Sequence, residues 1–113
     1  MTTLFGTIAK DHTVASKGSY GWALDTVHNH TGSYEITFER PFDEMPSAVA
    51  TSAEGAGTAV VTVQFLNKTK MIIQTYYPDL VDVDGTPLPA NKKKQNASFC
   101  FVVMGRELPI QVE

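Results

Sequence analysis

The sequence has little cysteine and no excess of positive charge. Its single cysteine, Cys100, cannot form an intramolecular disulfide, so the fold does not depend on oxidation. Lys and Arg together number 9 against 12 Asp and Glu, which gives a formal charge of -3. The local run Lys92-Lys93-Lys94 is too short to reverse that balance. We therefore do not expect nucleic acid as a partner.

Long apolar runs are also missing. No window approaches the roughly 18 consecutive apolar residues that a membrane helix requires, so no membrane insertion is expected. The first twenty residues hold no apolar run long enough for a signal peptide, which predicts a chain that starts without an export signal.

Helical periodicity is scarce as well. Nearly every apolar stretch is short, rich in β-branched or aromatic residues, and bounded by Gly, Pro, Asn or Asp. A length of 113 residues suits a single domain covering residues 1–113. The pattern predicts an all-β fold, an antiparallel β-sandwich of about six to eight strands.

The individual strands follow from alternation and turn residues. Tyr34, Ile36 and Phe38 are predicted to share one buried face. The turn Asn67 to Thr69 predicts a hairpin whose two strands lie in a sheet interior. Residues 106–113 are predicted to form a C-terminal tail or arm. The predicted strands are Leu4 to Ala9, Trp22 to His28, Tyr34 to Phe38, Ala48 to Ala53, Ala59 to Leu66, Lys70 to Tyr77 and Phe99 to Met104.

No set of residues predicts catalysis. Cys100 lies between Phe99 and Phe101, and we expect it to be a small, buried, apolar residue with no nucleophile signature around it. The sequence places no acid, base and nucleophile together, so the chain is predicted not to be an enzyme, and no cofactor is expected.

Two histidines have a spacing that suits metal chelation. On a strand, His28 and His30 would lie on the same face, and three such pairs around a three-fold axis would supply six nitrogens. The alternative is that both are surface residues at the entrance to a turn. Because no third ligand is evident in one chain, no metal site is predicted.

The segment from Pro78 to Asn96 is predicted to be a long loop, the excursion between two strands, and loops of this length are usually functional or disordered. Its aspartates Asp79, Asp82 and Asp84 precede Gly85 and superficially resemble a calcium loop. Counted from Asp82, however, Lys93 stands at the twelfth position, where an EF-hand has Glu. Turn formation is the simpler interpretation.

Aromatic residues are the remaining candidates for recognition. Tyr76 and Tyr77 end a predicted strand just before this loop, where a ring can stack on a sugar while its hydroxyl stays in water. Trp22 is predicted to be buried between two sheets. The candidate ligand-binding residues are Tyr76, Tyr77, Asp79, Asp82 and Asp84.

These landmarks together resemble a known module, the C-terminal domain of phage tail-fibre and related bacterial adhesive proteins, and more distantly the H-type lectins. The resemblance spans about residues 5 to 105. It rests on Gly6-Thr7-Ile8, Gly18 to Trp22, Gly32 to Phe38, Pro41-Phe42, Pro46 and Phe99 to Gly105.

The resemblance implies a parallel homotrimer that binds a glycan or a cell-surface receptor near the ends of the late strands. It places the ligand near Tyr76, Tyr77 and the start of the acidic loop. A structural domain that trimerises or caps a fibre without a small ligand is the alternative. If the chain is part of a fibre, its expected location is the virion or the extracellular space, and otherwise the cytoplasm.

Overall fold

The computed structural model describes residues 1–27, 30–53, 59–78 and 81–108. Within these ranges the chain is all-β, as predicted, apart from one helical turn. The strands are β1 Thr2–Ala9, β2 Thr13–Ser16, β3 Trp22–Leu24, β4 Ser33–Phe38, β5 Ser47–Ser52, β6 Val60–Leu66, β7 Lys70–Tyr76 and β8 Phe99–Gly105, and the helical turn α1 is Ala90–Lys93.

The strands form two antiparallel four-stranded sheets, an arrangement consistent with the predicted β-sandwich. Sheet A has the order β2-β1-β8-β5, and sheet B has the order β3-β4-β7-β6. Aromatic rings join the two sheets: Trp22 meets Phe101 edge-on with centroids 4.9 Å apart, and Tyr34 meets Phe99 at 5.0 Å. The core lies between the sheets.

Trp22 is fully buried, as predicted. Its indole Nε1 donates to the carbonyl oxygens of Phe5 and Lys17, at 3.1 Å each, so the polar group of the ring is satisfied inside the core. Gly6 makes room for the ring, since a Cβ at this position would lie 2.3 Å from Trp22 Cζ2. The N-terminal strand of sheet A is thus locked onto sheet B.

The alternation predicted for β4 is confirmed, because Tyr34, Ile36 and Phe38 are all buried. The preceding strand is shorter than predicted and ends at Leu24. There the Asp25 carboxylate accepts a hydrogen bond from the backbone N–H of Val27 at 2.8 Å, which forms a turn in place of further strand.

The hairpin of β6 and β7 is also confirmed. Asn67 Oδ1 accepts from the backbone N–H groups of Thr69 and Lys70, at 2.9 and 2.8 Å. The prediction that both strands lie in a sheet interior is correct for β7 and wrong for β6, which is the edge strand of sheet B. Its apolar pattern reflects its position beside β5, the edge strand of sheet A.

Two elements were not predicted, β2 and α1. All four residues of β2 are exposed, so no buried face gives the strand an alternating pattern. The helical turn α1 lies inside the excursion and spans only four residues. Elements this short depend on the structure around them.

The beginning of the predicted C-terminal tail contacts the segment that follows β4. Arg40 forms an ion pair with Glu107 at 2.8 Å, and its guanidinium also donates to the carbonyl oxygen of Leu108 at 2.6 Å. The backbone N–H of Asp43 donates to the carbonyl oxygen of Arg106 at 2.6 Å. Residues 106–108 are therefore held against the domain, and residues 109–113 lie outside the described ranges.

Candidate binding surfaces

Tyr76 and Tyr77 are both half-buried at the end of β7. The backbone N–H of Tyr77 donates to the carbonyl oxygen of Lys93 at 2.9 Å, and Tyr76 forms an isolated backbone bridge with Lys94. The segment after α1 thus returns along the end of sheet B. These contacts place Lys94 beside Tyr76, one of the predicted ligand-binding residues.

The acidic loop forms a turn of its own. Asp82 and Asp84 are exposed, and Asp82 Oδ1 accepts from the backbone N–H groups of Asp84 and Thr86, at 2.9 Å each. An isolated bridge between Val81 and Pro87 closes the loop. The Asp82 carboxylate therefore stabilises a turn, as the simpler interpretation expects. Asp79 lies outside the described residues.

Of the two histidines, His28 lies outside the described residues. His30 is exposed and forms an isolated backbone bridge with Ser33. Among the residues that the structure describes, no group of three or more His, Cys, Asp or Glu is placed to hold a metal ion.

The structure corrects the expectation for Cys100. Its side chain is half-buried and lies on the outer side of sheet A, because β8 alternates and directs Phe99 and Phe101 into the core. The flanking phenylalanines suggested that the cysteine is a core residue. Because neighbouring residues of a strand point to opposite sides, their burial instead directs Cys100 outward.

Cys100 belongs to a surface that we call face A, the outer side of strands β1, β8 and β5. Directly paired residues on neighbouring strands project to the same side, so the pairing arranges this face in three rows. None of the nine residues carries a charge. The rows are Thr3–Met104–Ser47, Phe5–Val102–Val49 and Thr7–Cys100–Thr51.

The middle row makes face A apolar. Phe5 is 45% exposed and Val49 is 67% exposed, with Val102 between them on β8. At one end of the face, Met104 borders a hollow of about 420 Å³ that is also lined by Met1, by Met45 and by the ion pair of Glu44 with Arg106. Face A thus continues into a cluster of three exposed methionines, a residue type that adapts its shape to a partner.

The outer side of sheet B is different, because it contains a polar groove. The groove has a volume of about 330 Å³, and its residues come from β4, β6, β7, the turn before β4 and the segment after α1. They are His30, Ser33, Glu35, Gln64, Ile72 and Lys94. Because Ile72 lies on the central strand β7, an apolar side chain sits among five polar ones.

One lysine lines this groove, Lys94, and a second, Lys70, pairs with a groove residue. Their environments differ. Lys70 Nζ lies 3.0 Å from Glu35 Oε1, so it offsets the charge of that carboxylate. Within the described ranges, no carboxylate lies within ion-pair distance, 4.0 Å, of Lys94 Nζ. The Lys94 stem packs close to Gly32, where a Cβ would lie 2.5 Å from Lys94 Cγ. Among the described residues, Lys94 is therefore a cation of the groove without a carboxylate partner.

This groove was not predicted from the sequence. The alternation of β4 correctly predicts that Glu35 points away from the core, but no sequence pattern places Lys94 next to β4. Several backbone and side-chain hydrogen bonds do this. Asn96 Oδ1 accepts from the backbone N–H of Gly32 at 2.7 Å, and Thr75 Oγ1 donates to the carbonyl oxygen of Gln95 at 2.5 Å. These bonds join residues 20 to 64 positions apart.

Comparisons with protein-family models, with curated proteins and with solved structures find no match to this chain. In the described part of the chain, none of the helical structure has the length and apolar character needed to cross a membrane.

Proposed function

We propose that the protein is a non-enzymatic binding module that assembles as a homotrimer and recognises a carbohydrate or another cell-surface ligand. The observation that carries this proposal is face A, an uncharged sheet surface with an apolar middle row. The resemblance to fibre and adhesin domains supplies the trimer and the class of ligand.

Face A is unusual for a surface that only meets water. A solvated face of an antiparallel sheet normally carries polar and charged side chains opposite its buried face. This chain has nine cationic and twelve acidic residues, and none of them occupies the nine positions of face A. Such a face gains free energy when it is covered, at about 25 cal/mol for each Å² of apolar surface.

A second and a third copy of the chain suit this face better than a charged partner does. Identical copies with a charge of -3 repel each other, and contact through an uncharged face keeps their charges apart. Three rows on three strands cover about 300 Å² in projection from the usual strand spacings. A stable interface buries about 800 Å² per partner, so we include the methionine hollow beside face A in the contact, where Glu44 and Arg106 offset each other's charge.

The molar mass in solution tests the assembly. Size-exclusion chromatography with light scattering at micromolar concentration is expected to give three times the chain mass of 12.3 kDa. A mass near 12.3 kDa at that concentration would overturn the proposed assembly.

The same face also favours a second function, a structural domain that trimerises or caps a fibre and binds no small ligand. The two functions differ only in ligand recognition, because both require the covered face A. A glycan array distinguishes them: signal from the intact trimer supports the binding module, and an intact trimer without signal supports the structural domain.

A further inference from the structure

The groove on sheet B has the composition of a small-molecule site. Ligand pockets typically occupy about 300 to 1,000 Å³ and combine an apolar surface with a few converging polar groups. This groove has a volume of about 330 Å³, enough for one small ring at a time. Ser33, Gln64 and Glu35 supply a hydroxyl, an amide and a carboxylate around Ile72.

These groups match the surface of a sugar. A saccharide ring has hydroxyl groups at its edge, each of which both donates and accepts hydrogen bonds, and C–H groups on its faces. The edge suits mixed donors and acceptors such as the Gln64 amide, and a C–H face suits an aliphatic side chain such as Ile72.

The charges of the groove favour an acidic sugar over a neutral one. The negative charge of Glu35 is offset by Lys70 at 3.0 Å, and Lys94 has no carboxylate within 4.0 Å among the described residues. A charge-assisted hydrogen bond from an ammonium to a carboxylate is about twice as strong as a neutral one. A ligand that brings its own carboxylate therefore completes the site.

We propose that the groove binds an acidic saccharide residue. The sugar carboxylate lies at Lys94, the hydroxyl groups bond to Ser33, Glu35 and Gln64, and a C–H face of the ring lies on Ile72. This inference rests on the proposed carbohydrate recognition and places it on the outer side of sheet B, next to the bridge of Tyr76 with Lys94. Asp82 and Asp84 of the acidic loop are not among the groove residues.

Matched pairs of sugars test the class of ligand. The probes are the methyl glycosides of glucuronic acid, galacturonic acid and N-acetylneuraminic acid, with methyl glucoside and methyl galactoside as neutral counterparts of the first two. The readout is the Ile72 methyl resonance of the full chain by NMR, titrated at millimolar sugar. At least one acidic glycoside is expected to shift this resonance and to bind at least about tenfold more tightly than its neutral counterpart. N-acetylneuraminic acid is compared with both neutral glycosides.

A pair of lysine variants tests the location. Lys94→Met keeps an unbranched stem beside Gly32 and removes the charge, and it is expected to weaken binding of the acidic sugar about tenfold or more. Lys92→Met removes the same charge from an exposed lysine two residues away, outside the groove, and is expected to change affinity less than about twofold. Lys94→Arg retains the charge and is expected to retain binding.

Several results would overturn the inference. They are the absence of any Ile72 shift with all three acidic glycosides, equal affinity for the acidic and neutral members of each pair, and equal losses in the Lys94→Met and Lys92→Met variants. Light scattering on the same samples separates this inference from the proposed assembly. A monomer that binds the sugar would support the proposed groove and contradict the proposed trimer. A trimer that does not bind the sugar would contradict the proposed groove alone.

Discussion

The two outer sides of the sandwich have opposite chemical character, although both belong to four-stranded antiparallel sheets. Face A on sheet A holds an uncharged apolar row of Phe5, Val102 and Val49. The outer side of sheet B holds the ion pair of Glu35 with Lys70 and a polar groove. Alternation fixes only which residues point outward, and the chemistry of those residues differs between the sheets. One side suits contact with further copies, and the other suits a small polar ligand.

The largest difference between the two sides is expected when each receives a new negative charge. Val49→Asp places a carboxylate at an exposed position of face A, where assembly would bury it at a cost of several kcal/mol. We expect a light-scattering mass of one chain for this variant. The free protomer should keep its stability within about 0.5 kcal/mol, since the site is exposed in it.

Thr37→Asp is the matched control, because Thr37 is an exposed strand residue on the outer side of sheet B and is paired with Lys70. It is expected to leave the trimer mass unchanged. An unchanged mass for Val49→Asp would contradict the role assigned to face A.

The next effect concerns the reactivity of Cys100, the only cysteine of the chain. If face A is covered in the assembly, a maleimide should modify Cys100 about tenfold or more slowly above the concentration of half-assembly than below it, because reaction then requires transient dissociation. The rate is measured by mass spectrometry over a dilution series.

A cysteine on the other side sharpens this comparison. In a Cys100→Ser background, Thr37→Cys places the thiol on the outer side of sheet B and should react at the same rate at all concentrations. Protection of both thiols, or of neither, would contradict the difference between the two sides.

Salt is expected to separate the two sides by a smaller factor. Raising NaCl from 0.1 to 1 M shortens the Debye length from about 10 to about 3 Å. Binding of an acidic saccharide at Lys94 should weaken about threefold, whereas assembly through the uncharged face A should be unchanged or stronger. Isothermal titration calorimetry and sedimentation measure the two equilibria, and a weaker assembly at high salt would indicate a charged interface.

The smallest expected effect is that of the Glu35–Lys70 ion pair on stability. The two side chains are 28% and 41% exposed, so solvent screens their attraction. A double-mutant cycle with Glu35→Gln and Lys70→Met in urea is expected to give a coupling of about 0.5 kcal/mol. A coupling above about 2 kcal/mol would show that the outer side of sheet B is less accessible to water than the structure indicates.

Much of the fold could be predicted because its signals are local. Tyr34, Ile36 and Phe38 alternate with polar residues, and Asn67 is a turn residue between two apolar runs. Burial of Trp22 was also predictable, because small β-sandwiches commonly bury their one tryptophan between the sheets. The edge position of β6 and the existence of β2 were not, because an edge strand can be covered by its neighbours and an exposed strand has no buried face.

The candidate surfaces could be predicted only in fragments. The sequence directed attention to Tyr76 and to the acidic loop, but Asp82 is used within its own turn. Face A requires β1, β8 and β5 to be neighbours, and the groove requires Lys94 to lie near Ser33. These residues are far apart in the sequence, and no local sequence pattern predicts that they become neighbours.

In β4 and β8 the sequence by itself determined which side faces the core, since side chains alternate with a period of two and the burial of Phe99 and Phe101 turns Cys100 outward. Only the tertiary structure decided what lies beside Cys100. Strand order depends on long-range packing and hydrogen bonding between residues up to about 100 positions apart, as in the pairing of Thr2 with Gly105. That order joins Phe5, Val102 and Val49 into one surface.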